Sequence, residues 1–157
     1  MKGPDSGTMI IREAKPSDIP SILDFQLKMA LETEDVQLEI STLTQGVNRL
    51  FRDPTKGKYF VAVNGEEVAG CLMITYEWSD WRCGTIWWIQ SVYVADKWRG
   101  KGVYTKLYEH IRELVTQDPD ARGIRLYVDK RNETAQKVYS HLGMNGDHYS
   151  TFEWMKD

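Results

Sequence analysis

The fold of this chain turns on the stretch Trp87-Trp88-Ile89-Gln90-Ser91-Val92-Tyr93-Val94-Ala95-Asp96-Lys97-Trp98-Arg99-Gly100-Lys101-Gly102-Val103-Tyr104-Thr105-Lys106-Leu107. Residues 89–94 have the β-branched and aromatic content of a buried strand, and residues 95–98 form a polar connection. From Val103 onward the apolar residues Val103, Leu107, Ile111, Leu114 and Val115 recur at helical spacing. Gly100 and Gly102 therefore fall where a strand turns into a helix. A helix start leaves several N–H groups without intrahelical acceptors at the positive end of the helix dipole, which suits a phosphate or pyrophosphate. Glycine there lets a ligand approach the backbone with no Cβ in the way. An ordinary tight turn explains the two glycines equally well, so the rest of the chain has to decide.

The length, 157 residues, is that of one domain with room for a substantial core. The 23 acidic residues against 20 Lys and Arg give a net charge of -3, which suggests neither a basic nucleic-acid field nor a disordered acidic chain. Cys71 and Cys83 show no framework of spacings, and no secretory signal is evident, so a reduced, cytoplasmic protein is expected. No apolar run reaches the length of a transmembrane helix, so no membrane partner is expected. Residues 1–8, with Gly3, Pro4, Ser6 and Gly7, read as a flexible arm or an expression scar, and residues 9–157 as a single domain.

Residues 9–14 read as a first strand, after which Ser17 stands where an N-cap opens a helix with the apolar face Ile19, Ile22, Leu23, Leu27, Ala30 and Leu31. A second helix is expected over residues 41–51, ended by Asp53-Pro54-Thr55. Residues 58–63 and 68–77 form a hairpin around Asn64-Gly65, and a turn at Cys83-Gly84 leads into the central strand. After the glycine helix, residues 123–128 read as a strand parallel to the central one. Asn132 can cap a helix whose apolar face is Ala135, Val138, Tyr139 and Leu142, with Gly143 at its C′ position and a final strand over residues 147–154. The order β-α-α-β-β-β-α-β-α-β gives an α/β fold, a mixed sheet with helices on both faces.

Arg99-Gly100-Lys101-Gly102-Val103-Tyr104, preceded by Val92-Tyr93-Val94, resembles the Arg/Gln-x-x-Gly-x-Gly/Ala pyrophosphate motif of the GCN5-related N-acetyltransferases, the GNAT family. Tyr104 departs from the small residue usual at its position. A second match is Asn132-Glu133-Thr134-Ala135 followed by Tyr139 and Gly143, and the element order over residues 9–155 is also that of the family. The resemblance implies acetyl-CoA as cosubstrate and no metal. Pantetheine would lie along the backbone of Val92 and Val94, and amides of Gly100, Lys101, Gly102, Val103 and Tyr104, with Thr105 at the edge, would surround the pyrophosphate. Lys97, Arg99, Lys101 and Lys106 would supply compensating charge, although a solvated basic turn explains them too. Asn132 is a helix cap, a pantetheine ligand, or both. Tyr139 would be the general acid for the departing thiolate, where a core tyrosine is the plainer reading.

The base is less legible. Where many relatives carry a glutamate, this chain has Gln90, which cannot take a proton. Glu77, Asp80, a held water or bulk solvent remain as candidates. His110, His141 and His148 have no metal-ligand spacing, and neither a nucleophile elbow nor a full P-loop is present. For the acceptor, Glu32, Glu34, Asp35, Trp78 and Trp81 combine carboxylates with aromatic faces that suit a cationic amine. A solvated acidic loop with core tryptophans accounts for the same residues. The expectation is an acetyl-CoA-dependent N-acetyltransferase acting by direct attack on a small-molecule or peptide amine, with no nucleic-acid partner and with a homodimer as one use of the tryptophan-rich surface. The alternative is a catalytically degenerate acyl-CoA-binding sensor or subunit.

Overall fold

The computed structural model describes residues 8–157, so the arm expected over residues 1–8 lies, Thr8 apart, outside the described residues. The chain divides into two compact units, one ending at Leu126 and the other spanning Tyr127–Asp157.

The first unit contains β1 (Ile10–Glu13), α1 (Ile19–Glu34), α2 (Ile40–Arg52), β2 (Lys58–Asn64), β3 (Glu67–Ser79), β4 (Gly84–Val94), α3 (Val103–Gln117) and β5 (Ala121–Leu126). The sheet order is β1-β2-β3-β4-β5, antiparallel at every step except the last, where β5 runs parallel to β4. A parallel return needs a crossover, and α3 supplies it. Strand alternation sends Tyr59, Val61 and Val63 to one face of β2, where they pack with Cys71, Tyr93, Ile22 and Phe25 of α1 and Val47 of α2. Phe60 points the other way, its ring 5.8 Å from that of His110 on α3. Helices α1 and α2 thus cover one face, and α3 covers the other through the buried residues Val103, Leu107 and Ile111.

Three boundaries differ from expectation. Ser17 is not the N-cap, because it lies inside a 3₁₀ turn, Pro16–Asp18, and Asp18 takes the cap position of α1. Asp18 is held there by its partners: its carboxylate accepts from the Arg12 guanidinium at 2.7 and 3.1 Å and from the Lys15 N–H at 2.7 Å. The β2–β3 turn consists of Gly65 (φ 60) and Glu66, with Asn64 already paired to Glu67. Strand β5 spans Ala121–Leu126 rather than residues 123–128.

The second unit carries α4 (Glu133–His141). Asn132 caps it by accepting the Ala135 N–H at 3.0 Å. Gly143, at φ 88, ends it in a Schellman motif, with its own N–H donating to the Ser140 carbonyl and the Met144 N–H to the Tyr139 carbonyl, both at 3.0 Å. The strand expected over residues 147–154 is absent, and residues 147–157 form neither helix nor strand. Tyr149, Phe152 and Trp154 are exposed, so no buried face selects a register for that β-rich sequence. Among the described residues no helix is long and apolar enough to cross a membrane.

The Arg12 hydrogen bond holds the Asp18 carboxyl below the usual carboxylate range, against the opposing pull of burial. The stability this contributes is present above the unfolded carboxyl value, about 3.9, and is lost as pH falls through the lower folded value. Asp18→Asn should therefore cost about 1–3 kcal/mol at neutral pH in urea unfolding and flatten the acid limb of the stability curve. An unchanged midpoint would remove the pair as a stabilising contact.

Candidate functional site

Strand β4 is bonded unequally on its two sides. Strand β3 pairs with it from Ser79↔Gly84 to Gly70↔Val94, whereas β5 pairs with it only from Thr85 to Ile89. Beyond Ile89 the β5 side of β4 has no strand partner among the described residues, and a ligand lying along that edge could take ladder-like hydrogen bonds. Val92 and Val94 lie in this segment. The edge is also kinked: Cys71 opposes Tyr93 and Met73 opposes Gln90, so Leu72 faces two residues, Ser91 and Val92. Ser91 takes the left-handed conformation at φ 52.

The glycine turn follows at the end of this edge. Gly100 and Gly102 have φ of 73° and 75°, and a Cβ on either would meet nothing within 4 Å. The backbone rather than packing therefore demands glycine, and the space in front of the turn is open. Gly102 is the N-cap of α3 and brings no side-chain acceptor, and the helix ladder begins with Lys106 N–H donating to the Gly102 carbonyl at 3.1 Å. The first-turn amides of Val103, Tyr104 and Thr105 are thus directed out of the helix start. The Tyr104 ring lies 6.4 Å from Tyr108 along the flank of α3.

The four cations of the turn are not equivalent. Lys97 is paired with Glu67 at 2.6 Å. Arg99 donates from Nε to the Val94 carbonyl at 3.0 Å, pairs with Glu32 at 2.8 Å and Asp96 at 3.3 Å, and lies 5.2 Å from the Tyr93 ring centroid. Lys101 sits over Trp98, 5.1 Å from its ring. Among the described residues neither Lys101 nor Lys106 forms an ion pair, so these two remain to answer an anion.

The residues expected to hold an acceptor are not brought together. Glu32 accepts from the Tyr93 hydroxyl at 3.0 Å, whereas Trp78 is paired with Thr85 near the other end of β4. That separation is roughly 25 Å along the strand at about 3.3 Å per residue. Glu34 and Asp35 end α1, and Trp78 and Trp81 are exposed at the β3–β4 turn, Trp81 at 93 %. Of the candidate bases, Glu77 is ion-paired with Arg125 and Asp80 accepts the Trp81 N–H at 2.9 Å. Gln90 donates to the Thr75 hydroxyl. Among the described residues no group of His, Cys, Asp and Glu converges to hold a metal. In the second unit Asn132 and Tyr139 lie at the cap and in the last turn of α4. A groove of about 690 Å³ lined by Phe60, Tyr76, Trp87 and Asp118 lies toward the C-terminal end of α3, away from the glycine turn. Sequence reasoning missed Gln26 and Tyr93; a glutamine inside the apolar stripe of α1 was the available signal for the first.

A profile described as the Acetyltransferase (GNAT) family matches residues 23–144. The chain belongs to this family. It is 40% identical to a possible acetyltransferase from Clostridium difficile 630, with a TM-score of 0.89 over 95% of this chain and 98% of that one. A probable acetyltransferase is similar at 20% identity and a TM-score of 0.83, over 95% and 99% of the two chains. An aminoglycoside acetyltransferase, meta-AAC0020, from an uncultured soil metagenomic sample in complex with sisomicin is similar at 16% identity and a TM-score of 0.77, over 95% and 97%. Comparison with curated protein sequences finds no match. This GNAT chain is thus an N-acetyltransferase, and the open glycine turn beside a half-paired strand fits the diphosphate and pantetheine of the family's donor, acetyl-CoA.

In this enzyme Glu32 is a tie between α1 and the glycine turn. Hydrogen bonds from Arg99 and then Tyr93 hold its carboxyl below the usual range. A ¹³C titration of the Glu32 carboxyl should show this lowered midpoint in the wild type and a return toward the ordinary value in Arg99→Gln. Equal midpoints in the two proteins would show that the tie does not persist in solution.

Proposed function

We propose that this GNAT enzyme transfers an acetyl group from acetyl-CoA to a primary amine by direct attack within a ternary complex. The observation that carries this reading is the succession, on one continuous stretch of chain, of an unpaired strand edge and a glycine cradle at a helix start. When bound, acetyl-CoA supplies an activated thioester carbonyl. The amides of Gly100, Lys101, Gly102, Val103 and Tyr104 hold the diphosphate, with Thr105 at the edge, and Lys101 adds a charge that no carboxylate among the described residues already answers. Arg99 acts chiefly as a brace, because Val94, Asp96 and Glu32 already engage its guanidinium. The backbone of Val92 and Val94 holds the pantetheine, and an amide near Val92 polarises the carbonyl. Asn132 uses its Oδ1 for the helix cap, which leaves its amino group to donate to the pantetheine arm.

Tyr139 is assigned as the general acid that gives a proton to the departing thiolate. A covalent route through Cys71 is disfavoured, since the thiol is fully buried and burial pushes it up to about 12. For the amine proton, the commitment of Glu77 to Arg125 and of Asp80 to a backbone amide favours bulk solvent, with the acceptor entering as the neutral amine. The acceptor is assigned as a small molecule or peptide with a second cationic group. Glu34 and Asp35, at the end of α1 just past Glu32, would meet that group, and Trp78 and Trp81 would contact only an acceptor extended along the sheet.

Thermal unfolding tests the donor site. Acetyl-CoA or CoA at a hundred times its dissociation constant adds about 2.7 kcal/mol, which should raise the midpoint by about 5–10 °C, while ATP should not. No rise with either would overturn the reading of the glycine turn. Tyr139→Phe should lower kcat by about a hundredfold or more, and unchanged turnover would remove Tyr139 as the acid. With two acceptors of different amine basicity, kcat/KM should rise with pH at a midpoint that follows the acceptor. A midpoint common to both and abolished by Glu77→Gln would restore Glu77 as the base.

A further inference from the structure

The kink in β4 places a serine where glycine is the usual choice. Ser91 lies at φ 52 opposite Leu72, one of two residues facing one on the neighbouring strand. A non-glycine residue in the left-handed region is strained and persists only where its surroundings hold it. The holding group comes from the other layer of the fold. Gln26, 4% exposed and set among the apolar side chains of α1, donates from Nε2 to the Ser91 carbonyl at 3.3 Å. The same amide group lies 3.7 Å from the Cys71 sulfur, which is itself 3.7 Å from the Ser91 carbonyl. Burying a glutamine is costly unless its polar atoms are satisfied, and here the amide nitrogen donates to the one residue of β4 whose backbone is strained.

We propose that Gln26 is a positioning residue for acetyl transfer: it clamps the Ser91 carbonyl, fixes the kink in β4, and so sets the direction of the Val92 backbone toward the thioester. This rests on the reading of β4 as the strand that binds the acyl donor. Gln26 touches neither the donor nor the acceptor in this role; it acts through Ser91. The kink also decides the side chains on either side of it. Gln90 and Tyr93 are three residues apart yet share the α1/α2 face, because their partners Met73 and Cys71 do. A regular strand would turn Tyr93 away from that face.

Gln26→Leu removes the clamp at nearly constant volume, and Ser91→Gly removes the need for it, since glycine adopts φ 52 without strain. Gln26→Leu should lower kcat about tenfold while the dissociation constant for CoA, set mainly by the glycine turn, stays within about twofold. Adding Ser91→Gly should recover most of the lost kcat, and Ser91→Gly alone should be close to wild type. Unchanged kcat in Gln26→Leu would overturn the proposal, as would a loss that Ser91→Gly leaves in place. Thermal midpoints read the clamp without turnover: Ser91→Gly should raise the midpoint more in the Gln26→Leu background than in the wild type. A wild-type protein that transfers no acetyl group would remove the proposed function while leaving this stability test to judge the clamp. Equal effects in the two backgrounds would remove the clamp whatever the activity.

Discussion

Strand β4 is fully laddered by β3 but laddered by β5 only as far as Ile89, and the open edge that carries Val92 and Val94 follows from that inequality. A strand edge left open inside a sheet must be filled, covered or used. Here the chain leaves β4 at Val94, turns through Gly100 and Gly102, and runs back as α3 before returning as β5. A crossover between parallel neighbours has to start at the C-terminal end of the first strand. The N-terminus of α3 is therefore held at the end of the open edge by connectivity alone. Backbone donors of two kinds, strand and helix start, meet there without any long side chain having to be ordered.

Tyr93 shows how the second layer is tied to this edge. Its ring packs on Phe25 with centroids 5.1 Å apart, its hydroxyl donates to Glu32, and the Arg99 guanidinium lies 5.2 Å from its ring centroid. One residue thus joins α1, β4 and the glycine turn. It can do so because the extra residue at Ser91–Val92 changes which face it occupies. The kink lies within the open edge and also turns Tyr93 into the core, so the course of that edge and the packing of α1 share one irregularity.

Much of this architecture is legible in the residues. The glycine pair with its helical repeat, the β2–β3 hairpin and both ends of α4 each depend on neighbours a few positions apart, where local sterics and hydrogen bonds act, and the parallel return follows from the crossover helix between its strands. Asn132 and Gly143 stand at the two caps because an N-cap wants a short acceptor side chain and a C′ residue wants positive φ. The kink at Ser91 was not legible, since no glycine marks it and one extra residue leaves the strand composition unchanged. Nor were the ion pairs: Glu32 and Arg99 are separated by 67 positions, and their meeting depends on how α1 is laid on the sheet. That pairing is also why Glu32 fails as part of one acceptor cluster with Trp78. The C-terminal run 147–154 failed for the opposite reason, because β-propensity describes fit to a ladder and cannot supply one.

The pairing of Arg99 and Lys97 with carboxylates has a further consequence for how the glycine turn can bind an anion. Two cations that would otherwise repel each other, and that would have to be ordered when a diphosphate arrives, are fixed in the folded protein by Glu32 and Glu67. Arg99 in addition clasps the Val94 carbonyl, which anchors the turn to the end of β4. Diphosphate binding as proposed would then demand little rearrangement of the turn, and ordering cost is a large part of what weakens association. On the proposed reading the side chains would set the shape of the cradle, the amides would do the holding, and Lys101 and Lys106 would contribute the remaining charge. A Tyr104 in place of a small residue is compatible with that division, because its amide belongs to the helix start while its ring lies along the flank of α3 beside Tyr108.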